Sequence, residues 1–164
     1  IILSTTRGMA IRFHEEDVRP TGRSAQGVRG IHLEDGDRVV SMDKVDATAS
    51  LLVVSERGYG KRTPLTPDNY RTIQRGGKGV YTMRCNEKTG HLVAINVVHE
   101  GEELMLITKG GVIIRINASD ISEQSRLTQG VMLIRLGAGD EVMDVAKVVM
   151  HDADELESVP TTEA

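Results

Sequence analysis

The stretch from residue 70 to residue 81 reads YRTIQRGGKGVY and places Arg71, Arg75 and Lys78 beside three glycines. Arg and Lys contact phosphate oxygens, and one Arg can donate two parallel hydrogen bonds to the same phosphate. Glycine lets the backbone come close to an anion, so that amide groups can add to the site. The pattern therefore predicts a loop that binds a partner carrying phosphate groups.

A second basic group, Arg57, Lys61 and Arg62, lies on the preceding glycine turn and the segment after it. Residues 51–98 hold eight Lys and Arg against three Asp and Glu, a net charge of +5, in a chain whose total is −4. Such clustered charge is typical of an electrostatic binding surface. With one Phe, three Tyr and no Trp, the chain lacks the aromatic platforms that stack single-stranded bases. We expect contacts with the backbone of duplex DNA, with any preference set by bendability.

Other kinds of chemistry find no support in the sequence. Cys85 is the single cysteine, and the five histidines have no metal-ligand spacing. No nucleophile elbow and no pair of carboxylates stands out. We therefore expect no catalytic residue, no metal and no cofactor. No apolar run approaches the ~20 residues of a membrane span, and the first residues do not resemble a signal peptide, which predicts a cytoplasmic protein.

One unit of about fifty residues occurs three times. Each copy has a glycine turn with an arginine four residues after the glycine, and later a QGV or KGV triplet with an arginine three residues before it. In the three copies the turn glycine and its arginine are Gly8 and Arg12, Gly58 and Arg62, and Gly111 and Arg115. The triplets lie at 26–28, 78–80 and 129–131, and the arginines before them are Arg23, Arg75 and Arg126. For Arg12, Arg62 and Arg115 two roles stay open, a DNA contact and a structural hydrogen bond or salt bridge.

The apolar residues of each copy alternate, as in V112-I-I114-R-I116, which predicts strands with one buried face. Four short strands a copy give an all-β ring of three blades, at about 1–50, 51–103 and 104–150. The segment 151–164 has five acidic residues, no basic residue and Pro160, and we expect an acidic disordered tail.

The segments RGYGKRTPLTPDNYRTIQRGGKGV and TKGGVIIRINASDISEQSRLTQGVMLIRL resemble the C-terminal domain of the DNA gyrase A subunit. The resemblance covers residues 1–150 and implies a β-pinwheel, a ring of blades that exchange strands with their neighbours. It also implies binding and wrapping of duplex DNA on the outer rim, in support of negative supercoiling by the whole enzyme. The related domain of topoisomerase IV is one alternative, and a propeller-like scaffold for protein interactions is another.

The resemblance is incomplete at the family's QRRGGKG box, of which this chain has a version one arginine short: Gln74, Arg75, Gly76, Gly77, Lys78 and Gly79. We interpret it as a degenerate box and the chain as the last three blades of a longer ring. Two such arcs could close as a homodimer. The residues expected to bind DNA are Arg12, Arg23, Arg57, Lys61, Arg62, Arg71, Arg75, Lys78, Arg84, Arg115 and Arg126.

The resemblance also implies partners for the parent protein. They are double-stranded DNA, the N-terminal part of the A subunit, and the gyrase B subunit, in the bacterial cytoplasm at the nucleoid. ATP and Mg²⁺ would serve the parent enzyme and not these residues. Strand breakage in the family uses a tyrosine of the N-terminal part, so we expect no catalysis by this chain alone.

Overall fold

The computed structural model describes residues 1–149, and β-strands dominate that part of the chain. It also contains two short 3-10 turns, Glu15–Asp17 and Ala118–Asp120, and no helix there is long or apolar enough to cross a membrane. The strands are β1 Ile2–Thr5, β2 Met9–Arg12, β3 Val39–Asp43, β4 Ser50–Ser55, β5 Tyr59–Pro64, β6 Val80–Tyr81, β7 Leu92–Val98, β8 Glu103–Thr108, β9 Ile113–Asn117, β10 Val131–Met132 and β11 Val142–Lys147. The expected all-β fold is confirmed.

The strands form three antiparallel sheets, which we call blades 1, 2 and 3. Their strand orders are β3-β1-β2-β6, β10-β5-β4-β7 and β11-β8-β9. At the centre of each blade is a hairpin closed by a glycine turn, as where Gly8, with φ of 84°, joins β1 to β2. Positive φ costs glycine little, which explains why this turn residue recurs in the three repeats.

One edge strand of blade 1 and one edge strand of blade 2 come from the following repeat. Strand β6 pairs with β2, with Val80 opposite Ala10, and β10 pairs with β5, with Val131 opposite Gly60. Gly79 enters this exchange at φ 77°, and a Cβ there would lie 2.2 Å from the carbonyl oxygen of Ala10. The KGV glycine is therefore needed twice, for its backbone angle and for the close approach of the two strands. The expected exchange of strands is confirmed.

Blade 3 departs from the expectation of four strands in every blade. Within residues 1–149 it has three, because each fourth strand is supplied by the repeat that comes next. The first triplet, at 26–28, correspondingly forms no strand in the described part. The expected tail at 151–164 lies outside the described residues.

The central strand β4 joins the blades through both of its faces. Leu51 and Val53 belong to a core cluster shared with blade 1, whereas Leu52 and Val54 belong to one shared with blade 3. All four side chains are at most 1% exposed, and burial of each contributes about 1.5–3 kcal/mol. A strand buried on both faces has no apolar alternation, which is why SLLVVS reads as a continuous apolar run. The blades are thus packed side by side in one arc.

Candidate nucleic-acid interface

The glycine-rich loop at 71–79 is fastened to blade 1 by its backbone. The amide of Ile73 donates to the carbonyl of Arg12 at 2.8 Å, and the amide of Gly76 donates to that of Gly30 at 2.8 Å. The Gly77 amide turns back to Gln74 at 3.2 Å. The expectation that these glycine amides would face an anion is wrong, because carbonyls of the protein already accept their hydrogen bonds.

Arg75, the arginine of the degenerate box, is a clamp between repeats. Its guanidinium donates to the carbonyls of Asp17 at 2.9 Å and Arg29 at 2.6 Å. Arg126 occupies the same place in the next repeat and donates to the carbonyl of Tyr81 at 2.8 Å. Both guanidinium groups hold the segment that follows the preceding triplet, so their main role in this structure is structural.

The arginine four residues after each turn glycine also has a structural partner. Arg12 donates to the carbonyls of Leu65 and Tyr70 at 3.2 Å, and Arg62, 7% exposed, donates through Nε to that of Ile121 at 2.9 Å. All three bonds cross to the following repeat. Of the two roles left open by the sequence, the structural one is therefore observed for Arg12 and Arg62.

The third arginine of this set, Arg115, has a partner within its own blade. Its guanidinium forms an ion pair with Glu103 on the neighbouring strand β8, with Nε 2.7 Å from the carboxylate. For this arginine too the sequence left open a DNA contact and a structural hydrogen bond or salt bridge, and the structure shows a salt bridge. The pair is exposed, so its contribution to stability is small.

Lys61 was expected to bind DNA, and the structure contradicts this. Its side chain is fully buried between blade 2 and the loop of the third repeat, where Nζ donates to the carbonyls of Ser125 at 2.5 Å and Arg126 at 2.6 Å. Burial, with the charge of Arg126 adding to it, lowers the pKa of Lys61 to about 8. A phosphate cannot reach this ammonium group, so we remove Lys61 and the buried Arg62 from the candidate contacts.

The remaining predicted cations are exposed. The side chains of Arg23, Arg57, Arg71 and Arg84 have no hydrogen-bond or ion-pair partner among residues 1–149. Lys78 is 74% exposed and its Nζ lies 3.4 Å from the carboxylate of Glu34, which is 63% exposed, so this ion pair contributes little to stability. Among the predicted cations, these five side chains could donate hydrogen bonds to DNA phosphates without breaking a hydrogen bond within the protein.

Three of the exposed cations meet in one open groove of about 1040 Å³ between the turns of blades 1 and 2. Arg57, Lys78 and Arg84 line it together with Arg7, whereas Arg71 and Arg23 lie elsewhere. Sequence reasoning missed Arg7, although it precedes its turn glycine as Arg57 does. Four carboxylates also line the groove, Glu34, Asp37, Glu56 and Glu87, so its formal charges balance. The groove is therefore not a pocket that selects anions. Any contact with the phosphate backbone of DNA must come from the exposed side chains at the margin of the groove.

Cys85, the single cysteine, is poorly suited to nucleophilic chemistry. The Cys85 thiol is partly buried in the same groove, and burial is the main cause that raises its pKa to about 11. Thiolate is the reactive form, so this cysteine is a poor nucleophile. In residues 1–149 no group of three His, Cys, Asp or Glu side chains is arranged to hold a metal ion.

Comparison with known proteins matches all three repeats to one family. The model described as "DNA gyrase C-terminal domain, beta-propeller" matches residues 1–46, 49–99 and 102–148. The DNA gyrase A subunit of Staphylococcus aureus strain MRSA252 is 48% identical over 157 residues, which cover 94% of this chain and 17% of that protein. The same subunit of Staphylococcus epidermidis is 47% identical over 154 residues. The chain thus spans less than a fifth of the length of these relatives.

Two solved structures share the fold. The structure of a DNA gyrase A C-terminal domain superposes with a TM-score of 0.83 at 34% identity, over 90% of this chain and 50% of that one. The C-terminal domain of DNA topoisomerase IV superposes with a TM-score of 0.82 at 28% identity, over 90% of this chain and 46% of that one.

Proposed function

This chain belongs to the family of DNA gyrase C-terminal domains. From that premise we propose that it binds double-stranded DNA and bends it along an outer rim, which we define by the five exposed cations Arg23, Arg57, Arg71, Lys78 and Arg84. Binding would read no base edge, because the available groups suit phosphate oxygens, and any preference among sequences would come from how easily the duplex bends. Within a complete gyrase A subunit, wrapped DNA would support ATP-dependent negative supercoiling. That larger assembly, in the bacterial cytoplasm at the nucleoid, would also include ATP, Mg²⁺, the N-terminal part of the A subunit, and the gyrase B subunit.

The observation that carries the proposal is the division of labour among the basic side chains. Arg75, Arg126 and the buried Lys61 donate hydrogen bonds to carbonyls of neighbouring repeats. The side chains of Arg57, Arg71 and Arg84 point to solvent without a partner among the described residues. An exposed guanidinium releases counterions from DNA at little internal cost, so the second set is suited to electrostatic, sequence-independent binding.

Rigidity of the arc supports the proposed bending. The clamps between repeats and the two shared core clusters fix each blade against the next. Duplex DNA has a persistence length of about 150 base pairs, so following a rigid curved rim costs it elastic energy that phosphate contacts must offset. Easily bent sequences should therefore bind better than stiff ones, although no base edge is read.

The topoisomerase IV alternative has weaker support than the gyrase assignment, since the superposed topoisomerase IV domain is less identical than the gyrase one. A protein-interaction scaffold without DNA binding is the alternative of another class. The two classes differ in salt dependence, because only the DNA-binding proposal requires release of counterions.

Charge reversal in matched pairs tests the proposal. Arg71→Glu with Arg84→Glu removes two exposed rim cations, whereas Arg38→Glu with Lys44→Glu makes the same charge change beside β3, the blade 1 strand farthest from β6. Fluorescence anisotropy with a mixed-sequence duplex should show at least a tenfold loss of affinity for the first pair. The salt slope should flatten by roughly 0.9 for each phosphate that is no longer neutralised.

The control pair should change affinity much less. Equal losses in both variants would mean that net charge alone governs binding, and the rim assignment would be wrong. Unchanged affinity in both variants, or no binding by the parent chain at low salt, would favour the scaffold.

A further inference from the structure

An uncharged, mostly apolar segment lies next to the basic rim, at blade 2. Residues 127–132 read LTQGVM, and the side chains of Leu127, Val131 and Met132 are 53%, 38% and 52% exposed. None of the three belongs to a core cluster of residues 1–149. Exposed apolar side chains grouped in this way mark a contact surface, whereas scattered ones need no explanation. We call residues 127–132 the apolar rim segment.

Exposed arginines accompany this segment at both ends. The amide of Arg84 donates to the carbonyl of Thr128 at 3.4 Å, which places the backbone of a rim arginine against the segment. Arg135 follows the segment in the chain, three residues after β10, as Arg84 comes three residues after β6. Arg135 is exposed, and its side chain has no hydrogen-bond or ion-pair partner among residues 1–149. Both guanidinium groups can therefore contact phosphates.

The apolar rim segment lies between blades that are in place on both sides of it. Just before it, the guanidinium of Arg126 donates to the carbonyl of Tyr81 in blade 1, while Val131 pairs with Gly60 in blade 2. Blade 3 packs against the other face of blade 2 through the core cluster shared by the two blades. The exposed side chains are thus on the outside of the arc and not on an end face.

The turn that carries Leu127 is braced from inside the protein. The amide of Thr128 donates to the carbonyl of Ser125 at 3.4 Å, so Leu127 lies near the tip of a β-turn. The buried ammonium group of Lys61 donates to the carbonyls of Ser125 at 2.5 Å and Arg126 at 2.6 Å. These bonds hold the turn on blade 2, so Leu127 is presented on a rigid support.

The equivalent segment of the second repeat, residues 76–81, has a different composition. It reads GGKGVY, so that Gly76 stands where the third repeat has Leu127, and Lys78 stands where that repeat has Gln129. The rim of blade 1 thus offers a cation at the place where blade 2 offers apolar side chains. Contacts with a bound duplex must therefore differ in kind between the two blades.

We propose that Leu127 and Met132 form an apolar wedge that enters the minor groove of the bound duplex at blade 2 and partly unstacks one base step. Proteins that bend DNA through its minor groove insert Leu or Met between base pairs, and cations beside the wedge contact the backbone. A kink at this point would concentrate the bending that the rigid arc requires. Pyrimidine–purine steps would be favoured there, because they unstack most easily.

Duplex DNA is the occupant that the charges favour. The inference rests on the proposed function, since it needs a duplex on the rim. Arg84 belongs to that rim and adjoins the apolar rim segment through Thr128, so a duplex held by this arginine passes over the segment. A protein partner would instead have to cover the unpaired guanidinium groups of Arg84 and Arg135 as well.

Two pairs of substitutions separate the wedge from other exposed apolar side chains. Leu127→Ala with Met132→Ala removes the wedge and changes no charge. Met42→Ala with Met143→Ala is the matched control, because these side chains are 64% and 55% exposed on the edge strands β3 and β11, outside the rim. Leu127→Ile keeps an apolar side chain of the same size, and Leu127→Gly introduces the residue of the second repeat at this position.

Energy transfer between dyes at the two ends of a duplex of about 40 base pairs measures the bend, because free DNA is stiff over about 150 base pairs. Duplexes with a central TA step or with an A-tract measure the step preference, and anisotropy at several salt concentrations gives the affinity and the salt slope. We expect the parent chain, the control pair and Leu127→Ile to raise energy transfer and to bind the TA duplex about fivefold more tightly. The wedge pair and Leu127→Gly should lower the added energy transfer and this preference by about half or more, at an unchanged salt slope.

Several results would overturn the wedge. Variants without it that bend DNA and discriminate between the duplexes as the parent chain does would leave DNA binding intact and would favour a protein partner for the segment. An equal loss in the control pair would show a general effect of exposed methionines. A flatter salt slope in the wedge pair would show that phosphate contacts had been disturbed instead. A parent chain that gives no anisotropy change at low salt would refute the proposed function, and the wedge with it.

Circular dichroism identical to that of the parent chain checks that each variant is folded.

Discussion

Replacement of Gly79 by alanine should uncouple the exchanged strand from blade 1. A non-glycine residue at φ 77° costs about 1–2 kcal/mol. The new Cβ would also lie 2.2 Å from the carbonyl oxygen of Ala10 and 2.8 Å from its carbon, so β6 must move by about 1 Å to restore ordinary contact. Such a shift weakens the β6 ladder and the bond from the Thr82 amide to the Gly8 carbonyl, now 2.8 Å.

Loss of two or three backbone hydrogen bonds at about 0.5–1.5 kcal/mol each adds roughly 1–4 kcal/mol to the cost. We expect Gly79→Ala to lower the free energy of unfolding by about 2–6 kcal/mol, the sum of the two contributions. Gly139→Ala should lose only the backbone term of about 1–2 kcal/mol, because nothing lies within 4 Å of its added Cβ.

Urea unfolding followed by circular dichroism gives both free energies by linear extrapolation. With Tyr59 and Tyr81 replaced by phenylalanine in every protein compared, the fluorescence of Tyr70, which is buried in the core cluster shared by blades 1 and 2, reports on that junction separately. If the two variants differ by less than about 0.5 kcal/mol, the close approach at Gly79 has no energetic weight and the reasoning from the exchanged strand is refuted.

Three further predictions concern charged groups. The pKa of Lys61 is about 8 in the folded chain and ordinarily 10.5, so between these pH values the unfolded chain binds more protons than the folded one. The free energy of unfolding should therefore rise from pH 8 to pH 10.5, and Lys61→Met should flatten that rise in urea titrations at several pH values. Arg75→Gln should lower the melting temperature while changing DNA affinity less than Arg71→Gln does, as differential scanning fluorimetry and anisotropy would measure; the opposite ranking would contradict the clamp. Deletion of 151–164 removes five acidic and no basic residues and should raise DNA affinity at low salt; equal affinity would contradict this electrostatic argument.

The sequence predicted the three repeats, their strands and their turns because these depend on local patterns. Turn glycines, alternating apolar residues and the QGV and KGV triplets each act over a few residues. The exchange of strands came from the family resemblance, since local patterns do not specify which blade a strand joins. For the same reason the sequence did not show that blade 3 has three strands within residues 1–149, since no described repeat supplies its fourth.

The roles of the basic residues were less predictable. Lys61 and Arg57 are four residues apart and look alike in a count of charges, yet one is fully buried and the other exposed. The difference arises from the carbonyls of Ser125 and Arg126, more than sixty residues away, which solvate the Lys61 ammonium group. Only the tertiary arrangement brings those acceptors to it, and the same holds for the clamp made by Arg75.

The salt dependence of duplex binding tests the central claim most directly. The affinity of the intact chain for a mixed-sequence duplex should be measured at ionic strengths from low to several hundred millimolar. We predict a linear fall of log K with log salt, with a slope of about −0.9 for each rim cation that meets a phosphate, and an affinity near or weaker than ~10⁻⁴ to 10⁻⁶ M at physiological salt. Affinity that stays constant across this range would contradict the claim that exposed rim cations bind the phosphate backbone.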